Sequence, residues 1–350
     1  MPTTRGSSSK WTAVRSQTLV IGQMPNTRLE RRMETKITIA ADVNGDIPEG
    51  LADEYGIVIL PQYYRFDRDD TVYGDERNLS SAEFFARLSG GERAYSMGCN
   101  PQRVRELLEP RLAAGEDIIC LMFSSALSGS YNTVSLVARQ LCGEYPERRI
   151  KVIDTLNASF AQGLLAYRAA KRRLEGRSFD EIVQAVESEI PLANLWFAVN
   201  DLKYLALGGR LGGVSACIGT VLDIKPVLTV NEAGQIVARN KVRTLRKAVA
   251  FMTDLLRQKQ GGYPELGIVH SGCEVLAGRL RERILEEKPE GVEEIIVSEI
   301  NPTIGAHIGP DAVGVVFLQR PDANVMERDA AEQSEICCNQ ALSCRGSLNR

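Results

Sequence analysis

Short β-rich runs alternate with amphipathic helical patterns in the first half of the chain, and this alternation strongly limits the folds open to it. Buried strands are predicted at residues 37–41, 58–60, 118–123 and 150–153. Helical patterns cover 101–114, 131–141 and 160–174, each followed by a glycine suited to a left-handed C-cap, namely Gly115, Gly143 and Gly176. Strands and helices in series predict a parallel sheet covered on both faces, with ligands bound beyond the carboxyl ends of the strands.

A different pattern begins after the predicted helix at 178–190, where Pro191 interrupts it. Predicted strands at 194–199, 226–230 and 236–238, with a turn at Gly234, indicate hairpins. Later helical patterns cover 244–258 and 273–285, and later strands cover 266–269, 295–298 and 313–317. We therefore expect an α/β domain with a parallel sheet over 36–190 and a second, smaller α+β domain over 191–320.

The two ends of the chain lack these patterns. Residues 1–29 contain no acidic residue and are rich in serine and threonine, a composition shared by transit peptides and disordered leaders. A start codon at Met33 is a third explanation. Whichever of these three explanations holds, we expect residues 1–35 to form a disordered extension outside the fold. We expect residues 321–350 to form a loosely ordered polar tail.

The composition of the 350-residue chain excludes several classes of function. A formal net charge of −3, without a basic cluster interleaved with aromatic residues, argues against nucleic acid as a partner. No apolar run approaches the roughly 18 residues of a spanning helix, so we expect no transmembrane segment and a cytoplasmic location. Eight cysteines without C-x-x-C spacing indicate neither a zinc site nor a disulfide framework. No metal and no cofactor are expected.

Four hydroxyl groups and a glycine crowd the junction between the predicted strand at 118–123 and the helix after it. They lie in the segment S-S-A-L-S-G-S-Y, from Ser124 to Tyr131. The first N–H groups of a helix lack internal partners and the helix dipole favours negative charge there, so this junction can hold a carboxylate or phosphate. Simple N-capping by Ser128 is the alternative, but capping needs one hydroxyl and four are present.

Further candidate anion-binding residues lie in the second half of the chain. His307 is flanked by glycines in G-A-H-I-G-P, which predicts a loop whose imidazole either donates to an anion or bonds to backbone. Arg210 follows two glycines and Arg243 precedes a threonine, and both guanidinium groups suit a carboxylate or phosphate. Asp42, at the end of the first strand, is expected to accept from the turn at Asn44.

These segments together resemble the DegV family of lipid-binding proteins over residues 36–320. The sequence D-V-N-G-D-I-P at Asp42 is similar to the family's D-S-x-x-D-L-P, and S-S-A-L-S-G-S-Y to its S-S-x-L-S-G-T-Y. Residues 202–244 repeat its long pattern of L-x-x-L-x-x-G-G-R, I-K-P and V-R-T. G-A-H-I-G-P resembles its G-x-H-x-G-P.

The resemblance implies that the two domains enclose a long-chain fatty acid, and that the chain is a lipid-binding protein and not an enzyme. The residues implied to bind the fatty acid are Ser96, Ser125, Ser128 and His307. Those implied at the pocket mouth or in partner contact are Arg210 and Arg243. Certain family members are lipid-presenting subunits of a bacterial fatty acid kinase, so an ATP-dependent kinase subunit is the implied protein partner.

The chain departs from the family in one motif, and a second function stays open. The sequence S-M-G-C-N-P at 96–101 replaces the family's T-S-Q-P-S-P, which keeps the first hydroxyl and loses the second. The alternative function is a serine-dependent acyl hydrolase or transferase with Ser125 or Ser128 as nucleophile. His307 would be its base and Asp42 the orienting carboxylate. Against it, the serine segment lacks the G-x-S-x-G of a nucleophile elbow.

Overall fold

The computed structural model of the protein describes residues 36–75, 77–210 and 224–321. Within these ranges lie two domains, each built on its own sheet, in agreement with the expected fold class. The expected disordered extension at 1–35 and the polar tail beyond residue 321 lie outside the described residues, as does the part of the family pattern at 211–223.

The N-terminal domain is built on a four-stranded parallel sheet. Its strands are β1 (Ile37–Asp42), β2 (Ile57–Leu60), β5 (Asp117–Met122) and β6 (Ile150–Asp154). They are ordered β2-β1-β5-β6. Two further strands, β3 (Tyr63–Phe66) and β4 (Ala94–Met97), pair as a separate antiparallel ribbon. The helices are α1 (Glu49–Tyr55), α2 (Ser81–Ser89), α3 (Pro101–Ala113), α4 (Ser130–Glu144), α5 (Phe160–Leu174) and α6 (Phe179–Glu189).

Both faces of the parallel sheet are buried. Successive residues of a strand point to opposite faces, so Ala40 and Ile118 pack under α3 and α4 while Ile39 and Leu121 face α5 and the second domain. All four side chains are fully buried. The near-continuous apolar runs that predicted these strands therefore reflect burial on both sides.

The second domain is built on a six-stranded mixed sheet. Its strands are β7 (Ala193–Ala198), β8 (Lys225–Val230), β9 (Ile236–Val242), β10 (Glu265–His270), β11 (Glu294–Glu299) and β12 (Val313–Leu318). In the order β11-β10-β12-β7-β8-β9, β10 and β11 pair in parallel and the other neighbours are antiparallel. The helices are α7 (Lys203–Leu207), α8 (Leu245–Lys259), α9 (Glu274–Glu287) and α10 (Pro302–Ile308). α8 and α9 cover one face, and the other face turns to the N-terminal domain.

Helix α5 packs between the two sheets and connects the domains. At its start Phe160 contacts β10, where a Cβ on Gly267 would lie 2.4 Å from the Phe160 ring. In its middle Arg168 pairs with buried Glu265 of β10 and, at 2.8 Å, with Glu189 at the end of α6. The proposed domain boundary near residue 191 falls in the short 3-10 turn Ile190–Leu192 that joins α6 to β7.

Two of the three glycine-based helix ends are as predicted. Gly115 and Gly176 have positive φ values of 83° and 79°. α4 continues through Gly143 to Glu144, so the predicted end before Gly143 is wrong. A glycine inside a helix costs only about 1 kcal/mol relative to alanine, which a helix that buries an apolar face tolerates.

Candidate functional site

A cavity with about 700 Å³ of empty space, part of it open to solvent, lies between the carboxyl edge of the parallel sheet and the second domain. Its apolar walls come from both domains and are formed by Phe123, Leu127, Ala158, Leu195, Phe197, Leu205, Ile236, Val269, Ile300, Ile304 and Ile308. Its polar lining residues are Asn44, Gln62, Ser96, Ser128, Ser159, Arg210, Thr303 and His307.

The loop between β5 and α4 contributes Ser128 to the cavity wall. α4 begins at Ser130, with Gly129 at the N-cap position, and Ser128 lies just before it. Its Oγ accepts from the Ser130 N–H at 3.2 Å and donates to Ser130 Oγ at 3.1 Å. Ser125 is exposed, its N–H donates to Asp154 Oδ1 at 3.2 Å, and it does not line the cavity.

Ser124 attaches this loop to the second domain. It is fully buried, and its Oγ donates to the carbonyl oxygen of Gly234 at 2.8 Å. A Cβ at Gly234 would lie 2.1 Å from Ser124 Oγ, and Gly234 also has a positive φ of 74°. The hairpin turn predicted from the sequence therefore also holds the loop that carries Ser128.

Ser96 and His307 meet at the polar end of the cavity, where Ser96 Oγ lies 2.7 Å from His307 Nε2. Ser96 belongs to β4 and His307 to α10, so the pair bridges the domains. The prediction that His307 lies in a loop is wrong, because it occupies the last turn of α10. Asn301 caps that helix by accepting from the N–H groups of Thr303 and Ile304. The flanking glycines concealed this short helix in the sequence.

The imidazole of His307 is held neutral. Burial, together with a smaller effect of the nearby Arg210 guanidinium, lowers its pKa to about 4. Its Nδ1 is buried and has no hydrogen-bond partner among the described residues. Gly208 permits this packing, because a Cβ there would lie 2.1 Å from Nδ1. The first of the two glycines before Arg210 thus makes room for the histidine, while the second, Gly209, has a positive φ of 71°.

The two predicted arginines are placed differently. Arg210 lines the cavity, and its Nε donates to the carbonyl of Leu127 at 3.2 Å while Nη1 donates to that of Gly208 at 2.5 Å. It therefore links the loop of Ser128 to the second domain beside His307. Arg243 is exposed just after β9 and is not a lining residue of this cavity.

A second cleft, with about 1250 Å³ of empty space, lies at the surface next to the cavity. Ser96, Arg210 and His307 line both spaces and so stand between the apolar cavity and the surface. Arg93 and Lys203 add cationic side chains to the wall of the cleft, and Asp67 and Glu92 add carboxylates. The polar end of the cavity is therefore the end nearest to this charged cleft.

Two buried aspartates lie behind the polar lining. Asp42 accepts from the N–H of Phe123 at 2.8 Å and, at 3.1 Å each, from the N–H of Asn44 and Nε2 of Gln62. The predicted contact with the turn at Asn44 is thus present. Burial raises the pKa of Asp42 to about 6, although these donors act in the opposite direction.

Asp46 connects the domains. Its carboxylate accepts from Ser159 Oγ and from two groups of Asn301, the backbone N–H at 2.9 Å and Nδ2 at 2.6 Å. Burial raises its pKa to about 7 against the effect of these donors. Ser298 of β11 also donates to the Asp46 carbonyl.

The catalytic arrangement of the alternative hydrolase is not assembled by the described residues. Neither Ser125 nor Ser128 is hydrogen-bonded to His307, and Asp42 bonds to groups other than the imidazole. The Nδ1 atom that an orienting carboxylate would contact has no partner within the described ranges. The arrangement suits the binding of an anion better than acyl transfer.

Four lining residues were not found by sequence reasoning: Asn44, Gln62, Ser159 and Thr303. Gln62 and Ser159 follow β2 and β6, so the rule that ligands bind beyond the carboxyl ends of parallel strands could have found them. Thr303 was missed together with the helix that carries it.

The described parts of the chain offer two further observations. They contain no group of three or more histidine, cysteine, aspartate or glutamate side chains arranged to hold a metal ion. None of the helices within them combines the length and apolarity needed to cross a bilayer.

Comparison with known proteins identifies the family. The family model described as "Uncharacterised protein, DegV family" matches residues 36–320. The chain belongs to the DegV family. Among its relatives, the DegV domain-containing protein CPE0026 of Clostridium perfringens is 33% identical over 285 residues, which is 81% of this chain and 97% of the relative.

Solved structures of DegV proteins share the fold. A DegV family protein from Thermus thermophilus, described as binding fatty acid, superposes with a TM-score of 0.74 at 27% identity, over 81% of this chain and 99% of that one. DegV from Bacillus subtilis, described as a fatty acid binding protein, gives a TM-score of 0.70 at 25% identity, over 82% and 100%. These similarities confirm the family resemblance and the fold class predicted from the sequence.

Proposed function

We propose that this DegV protein binds a long-chain fatty acid in the cavity between its domains and presents the carboxylate to a separate kinase. The observation that supports this most strongly is an apolar cavity that ends at Ser96, His307 and Arg210, where polar groups of both domains meet. DegV proteins described as fatty acid binding proteins support the same class of ligand.

The apolar walls would supply the affinity. Burial of a methylene contributes about 0.8 kcal/mol, so a chain of roughly 15 carbons contributes about 12 kcal/mol before the costs of association are subtracted. The walls that would contact the chain include Leu195 and Phe197 of β7 and Val269 of β10. These strands belong to the six-stranded sheet of the second domain.

The polar end would orient the carboxylate. A buried carboxylate loses hydration worth several kcal/mol, which hydrogen-bond donors must offset. With its proton on Nε2, neutral His307 would donate to Ser96 Oγ and leave the Ser96 hydroxyl proton for the carboxylate. Ser128 and Arg210 line the same cavity and are the other proposed contacts of the head group.

The proposed protein partner is an ATP-dependent fatty acid kinase subunit, which the resemblance to lipid-presenting family members implies. A carboxylate oxygen would attack the γ-phosphorus of ATP, forming an O–P bond while the bond to ADP breaks. Arg93, Lys203 and Arg210 of the cleft would face the phosphates, and exposed Arg243 is kept as a proposed partner contact. We place this exchange in the cytoplasm, where ATP is available.

Native mass spectrometry of protein purified from cells tests the lipid-binding part. We expect a bound fatty acid, and we expect Ser128→Ala to release it faster while the fold survives. The control is Ser188→Ala, an exposed serine of α6 that bonds only to its own helix through the Ala185 carbonyl. An empty protein that also fails to take up added hexadecanoic acid would overturn the proposal.

The kinase part has a separate test. Loaded protein is incubated with Mg-ATP and hydroxylamine, which converts an acyl phosphate to a hydroxamate. We expect no hydroxamate from this chain alone and formation on addition of the ATP-binding subunit of a bacterial fatty acid kinase. Absence of product with both components would reject the presenting role and leave lipid binding intact.

A further inference from the structure

The cavity wall carries a second polar pair apart from Ser96 and His307. Asn44 and Gln62 line the cavity and are buried, with 5% and 4% of their surface exposed. Both bond to the same oxygen of Asp42, Asn44 through its backbone N–H and Gln62 through Nε2, each at 3.1 Å. The two residues therefore lie side by side on one part of the wall.

Hydrogen bonds determine which amide atom of Asn44 is unused. Asn301 Oδ1 accepts the N–H groups of Thr303 and Ile304 at 2.8 and 3.3 Å, so its Nδ2 is a donor. That Nδ2 donates to Asn44 Oδ1 at 3.3 Å, and Thr303 Oγ1 bonds to the same oxygen. Asn44 Nδ2 is the atom that remains, and no acceptor for it lies among the described residues.

The orientation of Gln62 follows from its partner. An ionised Asp42 can only accept, so the Gln62 atom bonded to it is Nε2 and the free atom is the carbonyl Oε1. No described residue donates to this oxygen. The wall thus offers one unused donor and one unused acceptor, on two residues that both bond to Asp42 Oδ1. A hydroxyl group, which both donates and accepts, satisfies such a pair.

We propose that the cavity takes a fatty acid with a hydroxyl group near its carboxylate, held by Asn44 Nδ2 and Gln62 Oε1. Thr303, which bonds to Asn44, lies four residues before His307 on α10, and four residues span about 6 Å. The amide pair is therefore a few carbons away from the head-group end. An unsubstituted chain would leave both amide atoms without a hydrogen-bond partner inside the cavity.

This inference rests on the proposed function and narrows its ligand class. The test offers lipid-stripped protein an equimolar mixture of 3-hydroxytetradecanoic acid and tetradecanoic acid, and native mass spectrometry gives the ratio bound. We expect the hydroxy acid to be favoured about tenfold, the effect of two ordinary hydrogen bonds. Equal binding, or preference for the plain acid, overturns the inference alone. Failure to bind either acid overturns the proposed function.

A substitution at Gln62 then tests whether the amide pair causes the preference for the hydroxy acid. Gln62→Met removes the acceptor at similar volume and should bring the binding ratio close to one while the plain acid still binds. Gln258→Met, at an exposed position of α8, is the matched control and should keep the original ratio. If Gln62→Met weakened the binding of both acids equally, the amide pair would belong to the carboxylate site, and the inference would be overturned. Asn44→Leu is less decisive, because Asn44 also joins the domains through Thr303.

Discussion

The hydroxyl of Ser96 lies 2.7 Å from Nε2 of His307, although 211 positions separate them in the chain. One residue belongs to the antiparallel ribbon of the first domain and the other to a helix of the second. The polar end of the cavity is therefore built from residues of both domains. Any group bound there is held by both domains at once.

Replacement of Ser96 by alanine should weaken fatty acid binding about tenfold. The change removes a donor for the carboxylate and leaves His307 Nε2 without its partner; together these losses cost about 1.4 kcal/mol, which is tenfold in affinity. Displacement of a fluorescent fatty acid measures the affinity, with Ser188→Ala as the control. Wild-type affinity in Ser96→Ala would remove this residue from the site.

His307 should stay neutral down to about pH 5 in the lipid-free protein, because burial lowers its pKa to about 4. A bound carboxylate should raise that pKa, since a nearby negative charge stabilises the imidazolium. NMR titration checks this readily, because the chain has only two histidines. A fatty alcohol of equal length is the control ligand and should give no such shift. Titration of the lipid-free imidazole near pH 6.5 would contradict its burial.

Asp46 should make the protein less stable as the pH rises. Its pKa is raised from 3.8 to about 7 in the folded state, so between these values the unfolded chain ionises while the folded chain keeps the proton. The free energy of unfolding then falls by up to about 1.4 kcal/mol per pH unit in that window. Asp46→Asn should remove this contribution and gain stability over wild type at pH 8.

Urea unfolding of wild type and of Asp46→Asn from pH 4 to 8 measures the free energy of unfolding of each protein. The difference between the two profiles reports on Asp46, because Asp42, whose raised pKa has the same effect on stability, is present in both. The asparagine retains an acceptor for Asn301. Asp53→Asn, at an exposed position of α1, is the control. Parallel pH profiles for wild type and Asp46→Asn would show that Asp46 is ionised throughout.

Sequence reasoning succeeded where one segment determines its own structure. The apolar runs gave the strands of the parallel sheet, and Gly115 and Gly176 ended helices as a left-handed C-cap should. The hydroxyl-rich loop around Ser128 was also placed correctly at the end of β5, because a strand, a loop and a helix in series leave few alternatives.

It failed where contacts between distant segments decide the outcome. Asn44 and Thr303 are 259 positions apart, and no local sequence pattern predicts their hydrogen bond. Motif spacing gives the position of a residue but not the direction of its side chain. Ser125 and Ser128 share one motif, yet the first faces solvent and the second lines the cavity.

We expect Gly208→Ala to disturb the polar end of the cavity, although Gly208 itself does not line the cavity. The added methyl would lie 2.1 Å from His307 Nδ1, so the imidazole must shift from its present position beside Ser96. We expect lower fatty acid affinity and a loss of about 1–3 kcal/mol of stability, as is usual for overpacking. Gly278→Ala is the control, because its methyl meets no atom within 4 Å in the middle of α9 and should stabilise. Unchanged affinity in Gly208→Ala would show that His307 does not need its present position.

A fluorophosphonate probe, which reacts with activated serines, should not label this protein. Ser96 has an imidazole within hydrogen-bond distance, but the pKa of about 4 makes His307 a weak base at pH 7. A serine nucleophile also needs an orienting group on the far ring nitrogen, and Nδ1 has no partner in the described residues. Intact-mass analysis with a serine hydrolase in the same tube measures the labelling. If an adduct formed and was lost in Ser96→Ala or Ser128→Ala, that result would favour the hydrolase, because the probe reacts only with an activated serine.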